Sequence, residues 1–147
     1  MIHRFPFTLQ LDAMDCGPAC LRMVAKHYGR TYTLQTLRQR SFITREGVSM
    51  LGISDAAESI GFRTTGVKIN FEQLCDDVLL PCIAHWNHNH FVVVYKIRKR
   101  GKWGKRGKWG KYNIYVADSA RGLIEFDEKE FNFIRSWIML HITARIN

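Results

Sequence analysis

The sequence predicts an α+β domain, on three observations. Up to Ile60 the apolar residues recur at helical spacing. From Leu80 onward they fall into short β-branched and aromatic runs broken by turn residues, the pattern of an antiparallel sheet. Helices that precede strands in this way form two layers able to cover one another. With 147 residues and 46% hydrophobic composition, one core and one domain spanning 1–147 are expected.

The elements follow in order. Asp15 reads as an N-cap and Pro18 suits a first helical turn. Leu21, Val24, Ala25 and Tyr28 then continue at helical spacing until Gly29 supplies the stop. Thr33 caps a second helix through Leu34 and Leu37 to about Gln39. A third runs from Ser49 through Leu51, Ile53, Ala56, Ala57 and Ile60, with Gly61 ending it. Phe62–Ile69 reads as a strand, and Asn70 as the cap of a short helix through Leu74. Leu80–Trp86, His90–Ile97, Tyr112–Asp118 and Leu123–Phe126 read as the strands of the sheet. Asp127 caps a last helix through Phe131, Ile134 and Trp137, before a final strand near Ile138–Thr143.

The formal net charge of +9 suggests a nucleic-acid partner until it is located. Between Arg98 and Lys111 stand eight bases and no acid, within a twofold R-G-K-W-G-K repeat. Taking those eight from the 22 Lys+Arg leaves 14 against 13 Asp+Glu, so the remainder is nearly neutral. The repeat falls between two expected strands, which makes 98–111 a basic hairpin insertion that the sheet need not notice. No apolar run approaches the roughly 18 residues of a membrane span, and Arg4 and Pro6 interrupt the N-terminus where a signal-peptide core would stand. A soluble cytoplasmic protein is the expectation. Cys16, Cys20, Cys75 and Cys82 are read as reduced thiols, the first two one helical turn apart.

The chemistry concentrates in Q-L-D-A-M-D-C-G-P-A-C at 10–20. Cys16 stands where a helix begins, and the positive helix end together with a nearby imidazolium favours the thiolate that attacks a carbonyl. Gly17 leaves room for substrate backbone beside the sulfur, whereas Cys20, on the apolar face, is read as core. Gln10, six residues upstream, has the spacing that papain-like thiol hydrolases use for an oxyanion glutamine, with the Cys16 backbone N–H as the second donor. His90 opens the run F-V-V-V-Y, so a strand holds it as a general base. Asp118 closes Y-N-I-Y-V-A-D, placed to fix the imidazole tautomer; standing alone it would read as a turn former. A zinc site from Cys82 with His85, His88 and His90 is the weaker reading, because the spacing fits no closed structural site. No metal or other cofactor is expected.

The chain resembles the double-glycine leader peptidase family, the N-terminal protease domains of bacterial peptide-exporting ABC transporters. The resemblance covers nearly the whole chain and rests on 10–21, Y-G at 28–29, T-R-E-G-V-S at 44–49, A-A-E-S-I-G-F at 56–62, L-P-C-I-A-H-W at 80–86, N-H-F-V-V-V at 89–94 and V-A-D-S-A-R-G at 116–122. It implies a papain-like fold, with Cys16 as nucleophile, His90 as base, Asp118 as orienting acid and Gln10 as oxyanion donor. It also implies a substrate, a peptide precursor cut after a Gly-Gly or similar small pair that ends its leader. The implied partners are that leader and the membrane and ATP-binding parts of an exporter, at the inner face of the plasma membrane. The family pattern is Asp-Pro where this chain has Asp118-Ser119, and the interval from His90 to Asp118 is longer by about one repeat unit.

Two rival classes remain. A binding module that holds leader or cargo without cutting it would not need Cys16, His90 and Asp118 together. A nucleic-acid or anionic-lipid binder would use Trp103, Trp109 and the cations of the repeat; of these, an anionic membrane surface touching 98–111 is the stronger. Leader affinity is expected from a hydrophobic groove. Met50, Leu51 and Phe42 are apolar candidates for it, although each reads more readily as core.

Overall fold

The computed structural model describes residues 4–45, 47–77, 79–86, 90–99, 111–132 and 137–144. Helix α1 (Cys16–His27) is followed by α2 (Leu34–Arg40) and α3 (Met50–Ser59), then strand β1 (Phe62–Ile69) and the short α4 (Phe71–Asp77). The chain continues through β2 (Cys82–Trp86), β3 (His90–Lys99), β4 (Tyr112–Asp118), β5 (Gly122–Asp127), α5 (Glu128–Asn132) and β6 (Trp137–Ala144). The strands form one antiparallel sheet in the order β1-β6-β2-β3-β4-β5.

Local chemistry sets most boundaries. The Thr33 and Ser49 side chains accept from the N–H groups of Thr36 and Gly52 at 3.1 and 3.0 Å, each satisfying an orphan donor of its helix. Asn70 and Gln73 bond reciprocally at 2.9 and 3.0 Å, a capping box that starts α4. Asp127 accepts from Glu130 N at 2.8 Å and starts α5. Gly29, with φ +82°, adopts the left-handed backbone that ends α1. Asp15 departs from expectation. It occupies the N-cap position of α1 but makes no side-chain cap bond; Asp12 caps the 3-10 turn Ala13–Asp15 by accepting from Met14 N.

The sheet is covered on both faces. On one, Leu21, Met23 and Val24 of α1 pack with Leu37, Ile53 and Phe62 against Ile83, Phe91, Val93 and Ala117. On the other, Phe71, Leu74 and Phe131 cover Cys82, Ala84, Val92, Val94, Ile114 and Val116. Double coverage explains why Phe91–Val94 is apolar without alternation. Full burial of a Leu, Met or Val side chain stabilises by about 1.5–3 kcal/mol, so the α1 face is a principal clamp between helix layer and sheet.

Glycine lets that clamp close. A Cβ on Gly17 would stand 2.1 Å from Val48 Cγ1 and 3.0 Å from Ile53 Cδ1. The space beside Gly17 is therefore filled by protein and not left for substrate backbone. The last helix also ends sooner than expected. Its described part is Glu128–Asn132, Ile134 lies outside the described residues, and Trp137 belongs to β6, which lies between β1 and β2 and bonds to both. Two partner strands outweigh the helical spacing of Phe131, Ile134 and Trp137.

Candidate active site

The antiparallel β3–β4 register, with Val93 opposite Ala117, brings the start of β3 beside the end of β4. His90 and Asp118 consequently meet at one end of the sheet. His90 Nε2 lies 2.8 Å from Asp118 Oδ1, and the Cys16 side chain stands beside the imidazole. Asp118 takes up Nε2, which leaves Nδ1 free of the carboxylate. Cys16 is the first residue of α1, and α1 packs across β3. Helix start, strand start and strand end thus converge on one point.

Electrostatics follow from this geometry. The neighbouring Cys16 side chain raises the pKa of His90 to about 9; burial opposes it, and the hydrogen bond and charge of Asp118 add to the rise. At neutral pH His90 is an imidazolium. Burial pushes the Asp118 carboxyl up, but hydrogen bonds from His90, Ala120 N–H and Arg121, with the charge of His90, bring it below the usual carboxylate value. Those bonds are short, at 2.9 Å from Ala120 N to Oδ1 and 3.0 Å from Arg121 Nε to Oδ2. Asp118 is ionised, buried and multiply held.

Gln10 reaches the same end of the sheet from the N-terminal arm. Its backbone N–H donates to Ser119 O at 2.9 Å, and its Oε1 accepts from Ser119 Oγ at 2.6 Å. Further back, Thr8 Oγ1 accepts from Arg22 Nη1 at 2.8 Å, pinning the arm to α1. Beside Cys16, the buried Asp15 forms an ion pair with Arg38 Nε at 2.9 Å, tying the α1 start to α2. Ser119, Arg121, Arg38 and Thr8 were not singled out as site residues in the sequence. The only signal among them is the polar D-S-A-R-G turn following a strand.

The remaining thiols and histidines separate from this cluster. Cys20 is fully buried and donates to Phe91 O at 3.3 Å. Burial, then the charges of Cys16 and Asp118, push its thiol well above the ordinary range. Cys82 faces the α4–α5 side of the sheet and is pushed up to about 12 by burial. His85 instead stacks on Phe91, ring centroids 4.5 Å apart, on the α1 side. Opposite faces of one strand keep Cys82 and His85 from a shared metal. His88 and most of the repeat, 100–110, lie outside the described residues.

Several large apolar side chains are exposed. Leu11, Phe42 and Leu51 are 82, 74 and 69% exposed, so Phe42 and Leu51 are not core; Met50 is half-buried against it. Phe42 has φ 53°, a left-handed backbone that costs a non-glycine of order 1–3 kcal/mol. Leu11, Leu34, Arg38, Phe42 and Ile43 help line an open cavity of about 520 Å³.

Known proteins resemble this chain in sequence and in fold. A model of the peptidase C39 family matches residues 4–146. The lactococcin-G-processing and transport ATP-binding protein of Lactococcus lactis subsp. lactis is 36% identical over 128 residues, 84% of this chain and 16% of that protein. The colicin V secretion/processing ATP-binding protein of Escherichia coli is 29% identical over 141 residues, 95% of this chain and 18% of that one. The chain thus spans under a fifth of the length of these relatives. Among solved structures, a double glycine motif protease from an AMS/PCAT transporter, in complex with its leader peptide, superposes with TM-score 0.82 at 30% identity, covering 97% of this chain and 93% of that one. The peptidase domain of Streptococcus ComA, a bifunctional ABC transporter, gives TM-score 0.77 at 27% identity, covering 97 and 100%. The fold is the papain-like α+β fold of these domains.

Proposed function

The chain belongs to the peptidase C39 family of cysteine peptidases, and from that premise we propose that it removes the leader of a peptide precursor by cutting after a Gly-Gly type pair, using Cys16, His90, Asp118 and Gln10. The observation that carries the reading is the succession of Cys16, His90 and Asp118 at one end of the sheet. The Cys16 thiolate attacks the carbonyl carbon of the last leader residue, and the carbonyl electrons move onto its oxygen. The Cys16 backbone N–H and the Gln10 Nε2–H stabilise that oxyanion. His90 gives its proton to the departing amine, which frees the mature peptide and leaves a thioester on Cys16. His90 then takes a proton from water, whose attack releases the leader carboxylate and the thiolate. Asp118 holds the ring in one tautomer and stabilises its charge.

Leu11 and Phe42, which share the open cavity with Leu34 and Ile43, offer an apolar seat for one face of an amphipathic leader helix. Relatives that join this domain to ATP-binding transport machinery support a role in peptide export, with the domain at the inner face of the plasma membrane. Described helices include none long and apolar enough to cross a membrane, so the membrane-spanning part is assigned to the transporter.

The test is incubation with a double-glycine precursor and mass spectrometry of the products. Two fragments, split after the glycine pair, support the proposal. Retention of an intact precursor in a stable complex would identify a leader-docking domain instead.

A further inference from the structure

We propose that Ser119 is a positioning residue for the oxyanion pocket, its hydroxyl turning the carboxamide of Gln10 so that the N–H end faces the reacting carbonyl. The inference rests on Gln10 being the oxyanion donor. A carboxamide has two ends of nearly equal size and opposite chemistry. The NH2 end stabilises a developing oxyanion, whereas the carbonyl end repels it. A glutamine free to rotate would present both, so a partner must select the donor end.

In this structure Ser119 engages the carbonyl end. It is fully buried, and its Oγ donates to Gln10 Oε1 at 2.6 Å across 109 positions of sequence. Its own carbonyl accepts the Gln10 backbone N–H at 2.9 Å, so one residue fixes both the backbone and the side chain of the other. With Oε1 held by a donor, Nε2 is the end that remains to donate. The opposite amide orientation would send a lone pair toward the oxyanion.

The same turn also holds the partner of His90. Asp118 accepts from Ala120 N and Arg121 Nε, and Arg121 N donates to Asp118 O at 3.0 Å. One four-residue turn therefore sets the imidazole through Asp118 and the oxyanion donor through Ser119. Loss of the Ser119 hydroxyl leaves Oε1 without its donor and the amide free to rotate. The effect falls on the transition state, because Gln10 acts on charge that develops there.

Turnover of a double-glycine precursor would be measured for the parent, Ser119→Ala, Gln10→Ala and the double variant, normalised to titratable Cys16 thiol so that misfolded protein does not count. Alkylation of Cys16 by iodoacetamide serves as the control, since it uses the thiolate and His90 but forms no carbonyl oxyanion. Ser119→Ala is expected to lower kcat about tenfold, as for one hydrogen bond, with KM and alkylation rate within about twofold of the parent. Gln10→Ala is expected to lose more, and adding Ser119→Ala to it to change nothing further. Unchanged kcat in Ser119→Ala beside a crippled Gln10→Ala would overturn the Ser119 role and leave Gln10 standing. Full activity in Gln10→Ala would overturn both. Equal losses of turnover and alkylation in Ser119→Ala, or a loss that persists undiminished in the double variant, would make Ser119 a structural support only.

Discussion

The two ends of the β3–β4 pair differ in kind. At one end His90 is only 26% exposed, Asp118 is buried, and the Asp118 carboxylate oxygens are bonded to His90, Ala120 and Arg121. At the other, Arg98, Lys99 and Lys111 are exposed, and the R-G-K-W-G-K repeat joins the strands. Pairing runs between the ends from Lys99 opposite Tyr112 to Val93 opposite Ala117, with one register shift between Val94 and Lys96. That bulge keeps Lys96 in solvent and returns Ile97 to the side of Val92 and Val94. The difference teaches that the ladder, and not the segment closing it, sets the distance from His90 to Asp118. Inserted charge at the far end need not disturb the chemistry.

Changes at the site end should therefore be severe and graded by role. His90→Ala should slow cleavage of a double-glycine precursor by roughly 10⁴-fold or more, since base and acid are lost together. Steady-state assay at fixed thiol titre checks this. Gln10→Ala should cost about 10²–10³-fold in kcat, the range for one oxyanion donor. Asp118→Asn should cost less than His90→Ala, about 10²-fold, because the carboxylate orients and charges the ring without touching substrate. An Asp118→Asn loss equal to that of His90→Ala would mean that the two act as one inseparable unit.

The pH response sharpens the same contrast. His90 has a folded pKa of about 9 against an ordinary 6.5, so its proton stabilises the fold fully below pH 6.5. That contribution is lost as pH rises through 9. The Asp118 carboxyl is depressed, so its contribution is present above the ordinary value of 3.8 and lost as pH falls through its folded pKa. Turnover should decline on the alkaline side with an apparent pKa near 9 as the leaving amine loses its acid. In Asp118→Asn that limb should move to lower pH, because the hydrogen bond and charge that help raise His90 are weakened. A pH–rate profile of both proteins decides; an unmoved limb would detach Asp118 from His90.

Much of this was legible from sequence, for reasons that also mark where legibility ends. Cys16, His90 and Asp118 stand at element boundaries, where helix caps, turns and β-branched runs leave local signals. Contacts between distant segments leave none. Gly17 read as space for substrate because Val48 and Ile53, which fill that space, arrive from another element. Ser119 read as a departure from the family pattern, since its contact to Gln10 is invisible along the chain. Trp137 followed a helical period that pairing with β1 and β2 overrode. Phe42 and Leu51 looked like core because spacing alone does not distinguish an outward apolar face from an inward one.

The smallest expected effect lies at the hairpin end. Replacing 100–111 with Asn-Gly should leave folding intact and turnover of a neutral precursor within about twofold, since a two-residue turn suits the paired strands. Flotation with anionic vesicles at low and high salt should show binding by the parent that is screened at high salt and missing from the deletion. A deletion variant that folds but does not cut would place the repeat in the active site.

The most direct test of the central claim is a comparison of two thiols one turn apart on α1. Cleavage of a double-glycine precursor, followed by mass spectrometry, would be measured for Cys16→Ala and Cys20→Ala. Cys16→Ala should fold, hold the leader and release no mature peptide, while Cys20→Ala, which loses a buried sulfur and its weak bond to Phe91 O, should keep most of its turnover. Mature peptide released by Cys16→Ala at a rate near the parent's would contradict the account.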